Sequence, residues 1–210
     1  MIEPFSGLSK LQISKLYELL GVHIYKYNKN EQILPTIRKE NIVGIILQGS
    51  AHIINMEYSG DEIIVENLVK NSVFGSNISS TNVQDCQIIA TEDTEVVVID
   101  YIKLMNVDNS KHVYFNIFLM NLFDIINSKI KEKNERMRVL EKKQIRERLL
   151  EYFDIQYRKR YTKNINLPFT FRDLADYLAV NRSAMFRELK HLKDDKLIEM
   201  KDKRIILLYK

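Results

Sequence analysis

The residues with the most pointed chemistry lie between Val180 and Leu192, in "VNRSAMFRELKHL". At 100° per residue a helix gathers Arg182, Ser183, Phe186, Arg187 and Lys190 within about 140° of one another. Met185, Leu189 and Leu192 fall on a neighbouring arc and are expected to pack inward. Arginine can donate two hydrogen bonds to guanine O6 and N7 in the major groove of a duplex, and an apolar side chain can touch a thymine methyl. Phe186, otherwise out of place among cations, is then expected to make a base-edge or sugar contact. The plainer alternative is an ordinary helix with a solvated basic face.

Such an arc needs a scaffold, and the neighbouring residues supply one. Thr170 is a good N-cap, and Asp173 at the third helical position completes a capping-box-like start. Leu174, Ala175 and Leu178 form the inner face of this first helix, with Ala175 small where two helices must cross closely. Ala179-Val180-Asn181 makes the turn, and Asn181 caps the second helix. "LIEMKDKRIILL" then reads as a strand, a turn at Asp202-Lys203 and a second strand. Lys201, Lys203 and Arg204 on that hairpin can reach adjacent phosphates as a wing, and Thr170 joins them as a candidate contact. This is the layout of a helix-turn-helix whose second helix enters the major groove.

Charge points the same way. The 210 residues carry a net charge of +4. Residues 1 to 140 hold 14 Lys and Arg against 17 Asp and Glu, a net −3, whereas residues 141 to 210 hold 18 against 11, a net +7. The last third is therefore the end that attracts a polyanion.

Upstream, the first hundred residues read as β. A short helix over about Ser9 to Leu20 places Leu11, Leu16, Leu19 and Leu20 at helical spacing. After Gly21 come short apolar runs, "VGIIL", "AHIINM" and "EIIVENLV", separated by Gln48-Gly49-Ser50 and Tyr58-Ser59-Gly60-Asp61. The Ser-Gly and Gly-Asp steps are hairpin chemistry. "CQIIATEDTEVVVIDY" adds two strands with a turn near Glu92-Asp93. Short strands at this spacing imply a barrel or sandwich.

From about Asp108 the period changes to that of a helix, with Asp108 or Ser110 as the cap. Phe115, Leu119, Leu122, Ile126, Ile130, Met137 and Leu140 keep spacings of three, four or seven. A helix this long is more than a small barrel can cover, and its stripe has the form of a coiled-coil seam that needs a second copy. Phe115, Leu119, Leu122, Ile126 and Ile130 are the expected dimer contacts. The alternative is a helix lying against its own barrel. A break near Arg138 to Glu141 precedes a second helix, about Lys142 to Tyr157, with Ile145, Leu149, Leu150 and Phe153 facing inward.

Several function classes are disfavoured. The 45% hydrophobic and 29% charged residues are ordinary for a folded globular chain. No run of eighteen apolar residues exists, and the amino terminus lacks a basic-then-apolar export pattern, so a cytoplasmic protein without a membrane partner is expected. A single cysteine, Cys86, rules out an internal disulfide and an iron–sulfur cluster, and reads as an apolar filler. The histidines, at 23, 52, 112 and 191, show no metal spacing. No nucleophile–base pair, P-loop or metal motif marks an enzyme.

From about residue 5 to 208 the chain resembles the Crp/Fnr family of bacterial transcription regulators. "GIILQGSAHII" and "VFG" look like its β-roll, "IRERLLEYF" like the start of its DNA-binding domain, and "DLADYLAVNRSAMFRELKHLKDDKLIEM" like its winged helix-turn-helix. The resemblance implies an α+β chain in three parts. Residues 1–107 would form an antiparallel, cyclic-nucleotide-binding-like β-roll of jelly-roll type, a sensor domain. Residues 108–140 would form a dimerisation helix, and residues 141–210 a winged helix-turn-helix. It places Arg182 and Arg187 at the two recognition arginines. Ser183 stands where many members carry glutamate, and Phe186 where small residues are usual.

The resemblance also sets an effector pocket at Phe74, Gly75, Ser76, Asn77, Gln84 and Asp85. Cyclic-nucleotide-binding members carry a glutamate after the Phe-Gly and an Arg-Ser or Arg-Thr pair shortly beyond it. Here Ser76-Asn77 and Gln84-Asp85 occupy those places, and no arginine lies between Lys70 and Lys103. A cyclic phosphate would meet Asp85 rather than a guanidinium. Cyclic AMP or GMP is therefore not the expected effector, which stays unidentified. A histidine such as His52 or His112 leaves haem ligation open. The expected partners are double-stranded DNA, a second copy of the chain and RNA polymerase. The competing function is a ligand-binding module that regulates a protein partner without sequence-specific DNA binding.

Overall fold

A computed structural model describes residues 3–34, 41–56, 62–75, 86–108, 112–167, 170–201 and 204–210. The chain forms two compact units, Met1–Ser128 and Lys129–Lys210.

The first unit begins with α1 (Lys10–Leu20). Ser9 and Gln12 exchange hydrogen bonds in a capping box, and Gly21 closes the helix at φ +58°. Leu16 and Leu20 are buried, while Leu11 is exposed. The strands that follow are β1 (His23–Tyr27), β2 (Ile42–Gln48), β3 (Ser50–Met56), β4 (Glu62–Val69), β5 (Val73–Phe74), β6 (Cys86–Ala90) and β7 (Thr94–Asp100). They make two antiparallel sheets, ordered β1-β7-β2-β5 and β4-β3-β6. Met56 pairs with Glu62 at the end of the β3–β4 hairpin. The Ser59-Gly60-Asp61 turn read from the sequence lies outside the described residues.

Two of the connections that change sheets, β2 to β3 and β6 to β7, meet at one corner. Gly49, between β2 and β3, sits at φ +83°, where a Cβ would run into the Asp93 carbonyl and Thr94. Residues 91–93 make the matching corner between β6 and β7. The two corners bond to each other. The Thr91 N–H donates to the Ser50 carbonyl at 2.8 Å, and the Ser50 hydroxyl donates to Glu92 Oε1 at 2.7 Å. Thr94, the one fully buried polar side chain among the described residues, donates to the Glu92 carbonyl at 2.7 Å, with the Ser50 carbonyl 3.0 Å away. A buried hydroxyl with these partners avoids the penalty of an unsatisfied polar group.

Asp100 caps α2 (Tyr101–Asn106), accepting from the Ile102 N–H at 2.7 Å and the Lys103 N–H at 3.2 Å. The long helix α3 (Val113–Leu140) starts later than the Asp108 or Ser110 cap expected from the sequence, and Ser110 lies outside the described residues. Its inward stripe is Phe115, Phe118, Leu122 and Ile125, buried with Leu16, Leu20, Val43, Ile45 and Val97. Phe115 and Leu122 were expected in a dimer seam. This is corrected: at 0% and 4% exposure they have no surface left for a partner. The helix has two apolar faces, and one stripe in the sequence merged them.

In the second unit, α4 (Ile145–Arg160) follows a break at residues 141–144 and is capped by Gln144 with Glu147. Leu149 and Phe153 are buried as expected, joined by Tyr152 and Ile155. Then come β8 (Asn164–Asn166), α5 (Phe171–Tyr177), α6 (Arg182–Asp194), β9 (Ile198–Lys201) and β10 (Arg204–Leu207). The small sheet is ordered β8-β10-β9 and is antiparallel. The core packs Leu149, Phe153, Leu174, Leu178, Met185, Leu189, Leu192 and Ile205 together.

The turn between α5 and α6 has a Schellman geometry. The Val180 N–H donates to the Ala175 carbonyl at 3.0 Å and the Ala179 N–H to the Asp176 carbonyl at 3.2 Å. Ala179 takes the left-handed conformation usually given to glycine, at φ +51°. Arg148 of α4 ties this turn to the end of α3. Its Nε donates to the Lys142 carbonyl at 2.8 Å, Nη1 to the Leu178 and Ala179 carbonyls at 2.9 and 3.2 Å, and Nη2 to the Leu140 carbonyl at 3.4 Å.

Two outcomes follow for urea unfolding of the protein. Arg148→Ala destabilises by about 2 kcal/mol, because charge-assisted bonds to several orphan carbonyls are lost, and Arg148→Lys recovers less than half, since an ammonium lacks the planar fork. Ala179→Gly stabilises by about 1 kcal/mol, because a β-carbon is strained in the left-handed region. A neutral Ala179→Gly would show that the turn relaxes without strain.

Candidate nucleic-acid interface

Asn181 starts α6 as its sequence position implies, with Oδ1 accepting from the Ser183 N–H at 2.9 Å and the Ala184 N–H at 3.3 Å. The helix then sorts its side chains by face. Met185, Leu189 and Leu192 are buried, at 0%, 1% and 0% exposure. Arg182, Ser183, Phe186, Arg187 and Lys190 are all exposed. Arg182, Arg187 and Lys190 make no ion pair among the described residues, whereas Glu188, on the same helix, is occupied by His191 at 3.3 Å. Three cations thus stand together with their donors turned to the surroundings, which suits an anionic partner.

Phe186 is held from the side. Its ring centre lies 5.2 Å from that of Phe171, the first residue of α5, with the planes at 49°. The Arg182 guanidinium carbon lies 5.7 Å from the same ring centre, within cation–π reach. Neither contact was legible at the sequence level. The signal was present only as two phenylalanines at the starts of neighbouring helices.

Thr170 requires a correction. Its N–H donates to Asp173 Oδ2 at 2.9 Å and its hydroxyl to the same atom at 2.7 Å. Both donors are committed to the capping box, so Thr170 positions α5 and has none left for a phosphate oxygen. On the wing, Lys201 is paired opposite Arg204 across β9 and β10, and both are exposed. The Arg204 Nε donates to Asn166 Oδ1 at 3.3 Å. Lys203 lies outside the described residues.

The last turns of α3 brace this unit. Arg136 donates from Nε to the Tyr177 carbonyl at 3.3 Å and lies 5.6 Å over the Tyr177 ring. Burial pushes the Tyr177 phenol above its ordinary pKa. Arg138 pairs with Glu151, Lys159 with Glu135, and Arg146 with Asp195 near the end of α6. At the carboxy terminus the Tyr209 hydroxyl donates to Asp154 Oδ1 at 2.9 Å, and burial with that carboxylate pushes its pKa up.

Of the expected effector pocket, Phe74 and Gly75 are among the described residues. Phe74 is a core residue at 0% exposure, its ring packed where a Cβ on Gly44 would stand. That corrects its reading as a pocket side chain. Gly75, at φ +151°, is buried with its backbone against the Ile42 carbonyl. Ser76, Asn77, Gln84 and Asp85 lie outside the described residues. Cys86 is buried in the β core, so the exposed thiol that an oxidation sensor needs is missing there. No cluster of three metal-ligating side chains occurs among the described residues, and no described helix is long and apolar enough to cross a membrane.

Comparison with known proteins places this geometry. Residues 144–209 match the Crp-like helix-turn-helix domain. Among solved structures, CprK complexed with OCPA is 16% identical, with 92% of this chain and 90% of that chain covered and a TM-score of 0.62. A CooA variant from Carboxydothermus hydrogenoformans is 17% identical, with 96% and 87% covered and a TM-score of 0.57. The Catabolite Activator Protein of Thermus thermophilus is 14% identical, with 97% and 92% covered and a TM-score of 0.53. At these identities the likeness is one of fold, and no curated protein sequence matches the chain. The sequence match is thus to a Crp-like helix-turn-helix domain over residues 144–209, and the likeness of the chain to the three solved structures is one of fold.

Proposed function

We propose that the chain is a homodimeric, sequence-specific DNA-binding regulator that lays α6 into the major groove of a palindromic site. The observation that carries this reading is the sorting of α6, with Arg182, Arg187 and Lys190 outward and Met185, Leu189 and Leu192 inward. Arg187, midway along the exposed face, is assigned a guanine, read through O6 and N7. Lys190, Lys201, Lys203 and Arg204 are assigned to phosphates, which fix register without carrying sequence. On this reading the chain is a regulator and not an enzyme, which the Crp-like helix-turn-helix match over residues 144–209 supports.

The dimer is assigned to the outward face of α3. Val113, Met120, Phe123, Ile130 and Met137 are 73%, 60%, 59%, 52% and 57% exposed. With Asn116, Asn127 and Asn134 they fall at alternating steps of three and four, an unbroken heptad seam. Leu119 and Ile126 flank it half-buried, and Ile130 stays from the contacts expected at the start. Functionally, residues 1–107 then serve as sensor, 108–140 as dimerisation helix and 141–210 as DNA reader. Two copies would address half-sites about one helical turn apart.

On this reading the first unit either senses a small molecule other than a cyclic nucleotide or has lost sensing. Arg38 is the single arginine before Arg136, so a cyclic phosphodiester has few guanidinium partners in the first unit. A charge buried without one costs several kcal/mol.

Selection of bound fragments from genomic DNA, with and without cell extract, tests the reading. It yields one palindromic sequence if the reading holds, and no enrichment if the basic face serves a protein partner. On the selected duplex, Arg187→Ala loses about 1 to 3 kcal/mol and relaxes preference at one base pair, measured by fluorescence anisotropy at fixed salt. Equal losses on selected and random duplexes would reduce Arg187 to a phosphate contact. Replacing Phe123 and Ile130 with Gln gives monomers in sedimentation velocity and abolishes tight binding, whereas a wild-type monomer at micromolar concentration would remove the seam.

A further inference from the structure

Phe186 is a large apolar side chain with no place in the core. The buried cluster of the second unit takes in Phe171, Tyr177 and Val180 at its margin, but not Phe186, which stays 38% exposed. Burial of its ring against the protein alone would call for an inward position, such as that of Met185 beside it. Instead it stands on the cationic arc, one helical turn after Arg182 and one before Lys190.

Its surroundings fix it there. Phe171 blocks one side at 5.2 Å between ring centres, and Phe171 is itself set by the Thr170–Asp173 capping box at the start of α5. Arg182 approaches the ring at 5.7 Å. A cation–π contact uses the guanidinium's attraction for the ring and leaves N–H donors for another acceptor. The result is a supported apolar surface with a guanidinium held beside it.

We propose that Phe186 is a specificity-determining residue that contacts a thymine methyl and positions Arg182 on the guanine of the neighbouring base pair. The chemistry narrows the choice. In the major groove the apolar group that a base pair presents is the thymine C5 methyl, and cytosine at the same place presents an amine donor instead. A phenyl ring cannot accept that donor well and covers it from water, so cytosine is disfavoured as well as thymine favoured. Arg182, already restrained by the ring, loses less side-chain freedom on reaching its guanine. The proposal rests on the DNA-binding reading and adds to it a thymine–guanine pair of neighbours in each half-site.

The test removes one methyl from the DNA. Each thymine of the selected duplex is replaced in turn by deoxyuridine, and affinity is read by anisotropy. For the wild-type chain one thymine per half-site is sensitive, and its replacement weakens binding about four-fold, the loss of one buried methyl. In Phe186→Ala that same replacement has no further effect, and preference for guanine at the neighbouring pair falls, while the preference owed to Arg187 is unchanged. Phe186→Leu keeps the uracil effect and loses the guanine preference, which separates the apolar contact from the positioning of Arg182. A selected duplex indifferent to uracil at every thymine overturns the proposal while leaving the DNA-binding reading intact. Uracil sensitivity that persists in Phe186→Ala overturns it too. A chain that enriches no duplex at all overturns both.

Discussion

Four backbone carbonyls converge on one guanidinium at the centre of the second unit. The carbonyls of Leu140 and Lys142 come from the end of α3, and those of Leu178 and Ala179 from the end of α5. Helix carboxy termini leave such groups without intrahelical partners and carry partial negative charge. Arg148 answers both ends at once, so the start of α4, the break after α3 and the turn of the helix-turn-helix are fixed by a single side chain. The angle at which α6 leaves its turn is set by the same bonds. Everything assigned to the exposed face of α6 depends on that angle.

The carboxy-terminal part was the more legible in sequence because its determinants are local. Thr170 and Asn181 cap the helices they were expected to cap, and Leu174, Ala175, Leu178, Met185, Leu189 and Leu192 are buried as their spacing demands. Ala179 is the exception. Nothing in its side chain signals a positive φ, which the hydrogen bonds of the turn impose. The amino-terminal strands were found as runs but not as sheets. Gly49 and Glu92-Asp93 read as ordinary turns, and only the bonds from Ser50 to Thr91 and Glu92, some forty residues away, show that the chain changes sheet there. β1 went unread because an edge strand such as "HIYKY" alternates aromatic with aliphatic and basic residues, not apolar with polar. β5 has two residues, and α2 is marked only by the Asp100 cap.

The long helix shows why periodicity alone does not tell a buried stripe from an exposed one. Its apolar residues satisfy two demands, one stripe closing the β core and the other facing away. A list of apolar positions spaced by three or four cannot separate stripes that lie side by side on one cylinder. Burial does separate them: Phe115 and Leu122 on one side, Phe123 and Ile130 on the other. The candidate DNA contacts changed less, because basic side chains on a short helix have one alternative, the solvent. Thr170 moved from contact to support once both of its donors were seen to end on Asp173.

Asn127 and Asn134 occupy the same heptad position, one turn of the repeat apart, on the exposed face of α3. A carboxamide enclosed in a helix seam is satisfied opposite another carboxamide and is left wanting opposite a hydrocarbon. Two in succession make the face a sorting code. In the proposed dimer a second copy of the chain would meet it amide to amide, whereas a related protein with leucine or valine at either level would strand a buried amide in every mixed pair. Where several proteins of this fold share one cell, these two side chains in the proposed seam would keep their subunits from mixing.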